Sequence, residues 1–89
     1  MSRISAQVSL YPLRQADLKP AISQAMESFR AHGLDISAGT MSTVVMGNPD
    51  TVFDALKASF RAVDALGDVV MIASISNCCP MPGAGQNDP

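Results

Sequence analysis

The sequence contains little of the chemistry on which most enzymes depend. Its 89 residues include one histidine, two adjacent cysteines (Cys78 and Cys79) and no tryptophan. Neighbouring cysteines rarely form a disulfide because the geometry is strained. The single histidine, His32, stands just before Gly33 at a predicted helix end, where it is expected to be a partly exposed cation. We therefore expect no metal site, no cofactor and no catalytic group of nucleophile, base and acid.

Charge is also scarce. Charged residues make up 16% of the chain, the net charge is −2, and the six Lys and Arg are scattered rather than clustered. This pattern disfavours nucleic-acid binding. No apolar run approaches the roughly 20 residues of a membrane helix. The first residues lead directly into an alternating segment without the apolar block of a signal peptide, so we expect a cytoplasmic protein.

The length fits one domain, since domains typically have about 50–250 residues. With 47% hydrophobic residues and so few charges, the surface favours association, and we expect a homo-oligomer. The last residues, 81–89, are rich in Pro and Gly and lack periodicity. We therefore predict a domain over residues 1–80 and a flexible tail over residues 81–89.

A strictly alternating stretch, Ile4–Pro12, predicts the first strand. Its apolar side chains point one way. The other face carries two hydroxyls, a carboxamide and a phenol, and it has no charged group. That uncharged row favours contact with something neutral or planar, although an ordinary exposed or dimer-buried face is an equally good interpretation at this point. The members of the row are Ser5, Gln7, Ser9 and Tyr11.

The rest of the chain predicts two helices and three more strands. A helix starts near Asp17 and ends at Gly33, and a second starts at Asn48 and Pro49 and ends near Gly67. Strands are predicted over residues 34–38, 41–46 and 69–77, the first two joined by a turn at residues 39–40. The apolar stripes predicted to be buried are Leu18, Ile22, Ala25, Met26 and Phe29 on the first helix, and Val52, Phe53, Leu56, Phe60 and Val63 on the second.

The resulting order, βαββαβ, predicts an α+β fold, the ferredoxin-like sandwich. It has a four-stranded antiparallel sheet with both helices on one face and with the first and third strands in the centre. The other sheet face stays open. It would present the polar row of the first strand beside Val70, Ile72, Ser74 and Ser76. This mixture is too apolar for simple water contact, so we expect another copy of the chain to cover part of it.

Polar side chains at the strand ends are the candidate ligand-binding groups. Besides Gln7, Ser9 and Tyr11, they include Ser42 and Thr43 on the third strand, and periodicity leaves open which of these two faces the helices. A neutral heteroaromatic ring needs donors and acceptors along its edge and apolar contacts on its faces. Both could come from this region, which favours a binding protein over an enzyme. The remaining candidates are Ser74, Ser76 and Asn77, with apolar contacts from Met41, Met46, Val70 and Ile72.

Several short motifs resemble the YkoF-related family of thiamine- and hydroxymethylpyrimidine-binding proteins. They are residues 9–12 (Ser-Leu-Tyr-Pro), residues 42–44 (Ser-Thr-Val) leading to Gly47, residues 52–55 (Val-Phe-Asp-Ala), and the segment from Val-Met at residues 70–71 to Cys-Pro at residues 79–80. Each motif is weak alone. Together they occur in the right order on a matching pattern of elements, and the resemblance extends to about residue 82.

The resemblance implies a non-enzymatic protein of thiamine salvage or uptake, which binds thiamine or its hydroxymethylpyrimidine moiety against the sheet at a subunit interface. By position, it implicates Ser9, Tyr11, Ser42 and Thr43, and, at the end of the fourth strand, Ser76, Asn77 and Cys79. Gln7 joins them from the alternation alone.

Two departures from the family pattern matter for the site. The YkoF type carries two such domains in tandem, whereas this chain has one. A site that needs two domains would therefore require a dimer or a tetramer formed through the open sheet face. No carboxylate lies on the proposed ligand face to offset a thiazolium cation, which favours the neutral pyrimidine over intact thiamine.

Two other interpretations compete with a binding protein. One is a small dimeric ferredoxin-like enzyme of the monooxygenase or isomerase type, which would need a His, Asp or Arg in its pocket. The first strand offers none. The other is a structural or regulatory module whose open face only pairs with another subunit.

Overall fold

The computed structural model describes residues 3–14, 17–39 and 42–78. Within them the element order is βαββαβ, as predicted. The elements are β1 (Ile4–Pro12), α1 (Lys19–Ala31), β2 (Asp35–Ala38), β3 (Thr43–Gly47), α2 (Pro49–Asp64) and β4 (Val69–Ser76).

The four strands form one antiparallel sheet in the order β2-β3-β1-β4. The predicted ferredoxin-like fold is therefore confirmed, with β1 and β3 in the centre. The inward residues of β1 and β3 meet the two helices and form a single core. Its fully or nearly fully buried members include Ala6, Val8, Val45, Ala21, Ala25, Phe29, Val52, Ala55 and Val63.

Local sequence signals account for the helix ends. Gly33 follows α1 with φ +71°, a backbone conformation that glycine adopts without strain. The N–H of Thr51 donates to Asn48 Oδ1 at 2.9 Å, so Asn48 caps α2 as predicted. At α1 the capping position is Leu18 rather than Asp17, but Asp17 Oδ1 still accepts from the N–H of Lys19 at 3.0 Å.

Some predicted strand limits were wrong by a residue. β2 begins at Asp35 rather than at residue 34, and β4 ends at Ser76 rather than at Asn77. β3 extends to Gly47, where an added Cβ would lie 2.5 Å from Leu34 Cδ2, so a larger residue there would force the buried Leu34 side chain to shift. The predicted start of this strand at Met41 lies outside the described residues, as do Thr40 of the predicted turn and the predicted tail.

The predicted buried stripe of α2 was partly wrong. Phe53 and Phe60 are exposed, Phe53 by 53%. The helix is turned so that two small residues, Ala55 and Ser59, are completely buried instead. Small side chains let the helix approach its neighbours closely, which leaves both phenylalanines at the border of the core. Ser59 is accommodated because its hydroxyl donates to the carbonyl oxygen of Leu56 at 2.9 Å.

The predicted stripe of α1 was also partly wrong, at its N-terminal half. Leu18 and Ile22 are 48% and 42% exposed, whereas Ala25 and Phe29, further along the same stripe, are buried. Ala21, which was not predicted, is buried as well. The start of the helix is thus docked through the small side chain of Ala21, whereas the larger side chains of Leu18 and Ile22 stay at the surface.

Candidate functional site

The polar row of β1 lies on the open face of the sheet, opposite the helices. The register pairs Gln7 with Ser74, Ser9 with Ile72 and Tyr11 with Val70, so the predicted neighbours are in place. Gln7 and Tyr11 are exposed and Ser9 is half-buried, whereas Ser5, at the other end of the row, is buried.

Gln7 makes a side-chain contact across the sheet. Its Nε2 donates to Ser42 Oγ at 3.2 Å, which brings together two of the predicted binding residues on the open face. The backbone of Ser42 is fixed as well, since its carbonyl oxygen accepts from the N–H of Gly39 at 2.8 Å. Gln7 and Ser42, together with Ser9 on the same face, form the polar centre of the open face.

Thr43 faces the helices. It is paired with Val8, whose side chain is buried in the core, and its hydroxyl contacts Met26 Sδ at 3.7 Å. Successive residues of a strand point to opposite faces, so Thr43 lies on the helix side while the Ser42 side chain reaches Gln7. The question that periodicity left open is thus answered by the packing.

A cavity of about 170 Å³ lies between α1 and the centre of the sheet. Its walls are mainly apolar, and the residues that line it carry no charged side chain. The polar side chains among the lining residues belong to Ser42 and Thr43, at the start of β3. The lining residues are Val8, Leu10, Ile22, Ala25, Met26, Phe29, Gly39, Ser42 and Thr43.

The exposed half of α1 explains the cavity. Ile22 belongs to the helix stripe that continues through Ala25 to Phe29, yet it is 42% exposed and lines the cavity. Because the Ile22 side chain does not pack into the core, although that of neighbouring Ala21 does, space remains between this side of the helix and the sheet. Sequence reasoning assigned the whole stripe to the core and so did not predict that Ile22, Ala25, Met26 and Phe29 line a cavity. The small side chain of Ala25 was the one available signal.

The other predicted site residues lie elsewhere. Ser76 is paired with Ser5, at the end of the sheet opposite Tyr11. From Ser5 to Tyr11 the strand rises roughly 20 Å, at about 3.4 Å per residue, so a single small ligand cannot contact both ends. Ser76 Oγ accepts from the N–H of Cys78 at 3.1 Å and thereby shapes the turn after β4.

Asn77, within that turn, is exposed. Cys79 lies outside the described residues. The structure thus brings Gln7, Ser9 and Ser42 together on the open face and puts Thr43 on the helix face. Tyr11 lies at one end of the sheet, and Ser76 and Asn77 lie at the other.

The chemistry that the polar side chains near the centre of the sheet offer, on either face, is hydrogen bonding. Hydroxyls donate and accept, and a carboxamide does both through different atoms. Among the residues that the structure describes, no group of three or more His, Cys, Asp or Glu is arranged to hold a metal ion. None of the described helices is long and apolar enough to cross a membrane.

Comparison with known proteins agrees with this fold and with the sequence motifs. Residues 3–82 match the YkoF-related family. This chain belongs to the YkoF-related family. A relative, the UPF0045 protein MJ1052 of Methanocaldococcus jannaschii, is 31% identical over 75 residues, which are 83% of this chain and 73% of the relative.

Solved structures of this type share the fold. The crystal structure of MJ1052 matches with a TM-score of 0.80 at 28% identity, over 91% of this chain and 86% of that one. A candidate thiamine biosynthesis/salvage protein of Thermotoga maritima matches with a TM-score of 0.74 at 20% identity, over 83% and 82% of the two chains. A Bacillus cereus domain of unknown function matches with a TM-score of 0.77 at 18% identity, over 98% and 88%. The last two similarities establish the YkoF-related fold and nothing further.

Proposed function

We propose that this member of the YkoF-related family is a non-enzymatic cytoplasmic protein that binds thiamine or its hydroxymethylpyrimidine moiety in thiamine salvage or uptake. The observation that carries the proposal is the uncharged cavity beneath α1, with Thr43 in its wall. The family membership and the fold shared with a candidate thiamine biosynthesis/salvage protein support it.

The cavity suits a flat, neutral ring. Its volume, about 170 Å³, is enough for one substituted pyrimidine, and its walls offer apolar contacts to the two ring faces. Met26 and Phe29 are well suited to this role, because thioethers and aromatic rings pack favourably against planar groups. The hydroxyl of Thr43 would then bind a ring nitrogen or the amino group at the ring edge.

The absence of charged side chains from the cavity lining favours a neutral ligand. A thiazolium cation transferred into an uncharged, apolar cavity would lose hydration without gaining a counter-charge. The cavity should therefore bind the pyrimidine ring, and any thiazolium part of intact thiamine should remain at the opening of the cavity, near Ile22. This placement lies on the helix side of the sheet, whereas the sequence alone suggested the open face.

The open face has a separate role in the proposal. Its centre is polar, but Val70 and Ile72 are exposed beside it, Ile72 by 54%. A second copy that covers this face would make the protein a dimer or a tetramer. This exposed apolar area is also what favours the second candidate function, an oligomerisation module without a small ligand.

Calorimetric titration with hydroxymethylpyrimidine and, separately, with thiamine tests the proposal. We expect saturable binding near one ligand per chain. Thr43→Val keeps the shape of the side chain but removes one hydrogen bond of about 1–1.5 kcal/mol, so the Kd should rise about tenfold. Ser9→Ala is the matched control: it removes a hydroxyl from the opposite face of the same sheet and should leave the Kd unchanged.

Two results would count against the proposal. If Ser9→Ala weakens binding and Thr43→Val does not, the ligand lies on the open face. If neither compound produces heat or raises the unfolding temperature of the unmodified protein, the chain is not a thiamine-type binder, and the oligomerisation module becomes the better interpretation.

A further inference from the structure

β4 forms an edge of the sheet. It pairs with β1 on one side, and no strand among the described residues pairs with its other side. The strand is eight residues long and contains no charged residue. Long, uncharged edge strands pair readily with another chain, which is why most proteins interrupt them with charges, bulges or proline.

Hydrogen bonds near both ends of the sheet show which backbone groups point outward from β4. The N–H of Leu13 donates to the carbonyl oxygen of Asp68 at 2.8 Å, just before the strand. In an antiparallel pair, bonded and non-bonded positions alternate, so every second residue from Asp68 onward bonds to β1. The residues between them direct their N–H and C=O groups to the free edge. They are Val69, Met71, Ala73 and Ile75.

The other side of the sheet gives the same assignment. The N–H of Gly39 donates to the carbonyl oxygen of Ser42. This bond shows which residues of β2 and β3 are bonded to each other, and the strand registers carry the alternation across β3 and β1 to β4. The same residues of β4 again direct their backbone groups to the free edge. By the same alternation, Ala38 directs its backbone N–H outward at the opposite edge, on β2.

The two edges differ in their protection. β2 has only four residues, and it carries Asp35 in an ion pair with Arg3 at 2.6 Å. A charge on a short edge discourages pairing. β4 has neither form of protection. Its exposed apolar side chains include Ile72 on the open face and Ile75 on the helix face.

We propose that β4 pairs with β4 of a second copy of this chain, in antiparallel orientation about a two-fold axis, to form one continuous eight-stranded sheet. A second copy fits because a strand without charges can face itself with no like-charge repulsion. This interface is distinct from the open face and does not depend on the ligand.

The alternation also restricts the register. Outward residues must face outward residues, so one residue of β4 must lie directly opposite the same residue of the second copy, and the two-fold axis runs midway between these two residues. Near the middle of the strand the choices are Ile72 and Ala73. An axis at Ile72 places this side chain, 54% exposed in the single chain, against its own symmetry mate. We assign the axis to Ile72.

A proline substitution tests the interface. Ala73→Pro removes an outward N–H and leaves the bonds to β1 intact, as edge prolines do. We expect the mass measured by light scattering after size exclusion to fall by half. Ala38→Pro is the matched control, because it makes the same change at an outward position of the other edge and should leave the mass unchanged. Far-UV circular dichroism checks that both variants are folded.

Cross-linking tests the register without proline. In a protein with Cys78→Ser and Cys79→Ser, Ile72→Cys should oxidise to a disulfide-linked dimer, since directly opposed non-bonded residues lie about 4.5 Å apart at Cα. Ala73→Cys should link poorly. Efficient linkage at position 73 alone would overturn the register.

An unchanged mass for Ala73→Pro, together with no linkage at either position, would overturn the interface. A monomeric unmodified protein would also overturn it, and the edge would then be free or covered by residues that follow β4.

Discussion

At the scale of residues, the neighbouring hydroxyls of Ser42 and Thr43 lie on opposite faces of the sheet. Ser42 Oγ accepts from Gln7 on the open face, whereas Thr43 contacts Met26 beneath α1. A shift of one residue in the register of β3 would exchange the two. The backbone bond from Gly39 to Ser42 fixes the start of the strand and therefore helps to decide which hydroxyl faces the helices.

A residue-scale prediction concerns the start of α2. Asn48→Ala removes the side-chain oxygen that accepts from the N–H of Thr51. The free energy of unfolding, measured by urea denaturation, should fall by about 1 kcal/mol. Asn48→Asp preserves an acceptor and should cost much less. An equal loss in both variants would mean that the cap contributes through something other than this hydrogen bond.

At the scale of elements, α2 shows how far helical spacing can predict burial. The pattern correctly identified Val52, Leu56 and Val63 as buried. It does not fix the rotation of the helix about its own axis, so Phe53 and Phe60 were predicted to be buried as well. Hydrophobicity alone places a phenylalanine inward. The close fit of Ala55 and Ser59 against the neighbouring layers decides otherwise.

That difference predicts the effect of two truncations on the same helix. Leu56→Ala leaves a cavity in the core and should lower the free energy of unfolding by about 2–5 kcal/mol. Phe53→Ala removes a larger side chain that is 53% exposed, and should cost about 1 kcal/mol or less. Urea denaturation of both variants compares them directly. A greater loss at Phe53 would show that this side chain is covered in the assembled protein.

The same limit applies to α1. Its stripe predicted a helix docked along its length, and the docked part, Ala25 and Phe29, was found. Whether the large side chains of the N-terminal turns also enter the core depends on the distance between the layers, which no local pattern contains. The cavity and its four lining residues from α1 were missed for this reason.

At the scale of the whole molecule, salt bridges contribute little to holding the fold together. The described ion pairs, Arg3–Asp35, Arg14–Asp68 and Glu27–Arg30, are all more than half exposed, and exposed pairs are typically worth under about 1 kcal/mol. The core and the sheet supply the stability. Binding of a ligand to the folded chain alone should add measurably to the free energy of unfolding.

This leads to a prediction of linked stability. If hydroxymethylpyrimidine binds only the folded chain, a ligand concentration one hundred times the Kd should raise the free energy of unfolding by about 2.7 kcal/mol. Urea denaturation with and without ligand measures the difference. Thr43→Val, at the same ligand concentration, should show a smaller increase because its Kd is larger. Equal increases in both proteins would exclude a contact between Thr43 and the ligand.

The sequence by itself determined the order of the elements, the antiparallel sheet and the polar composition of its open face. Alternation along Ile4–Pro12, the cap at Asn48 and the glycine after α1 are local signals, set by the backbone and by adjacent side chains. Only the tertiary structure decided which hydroxyl faces the helices, which phenylalanines are exposed, and how widely the predicted site residues are separated. Those depend on the rotation and spacing of whole layers, which result from packing between residues far apart in the chain.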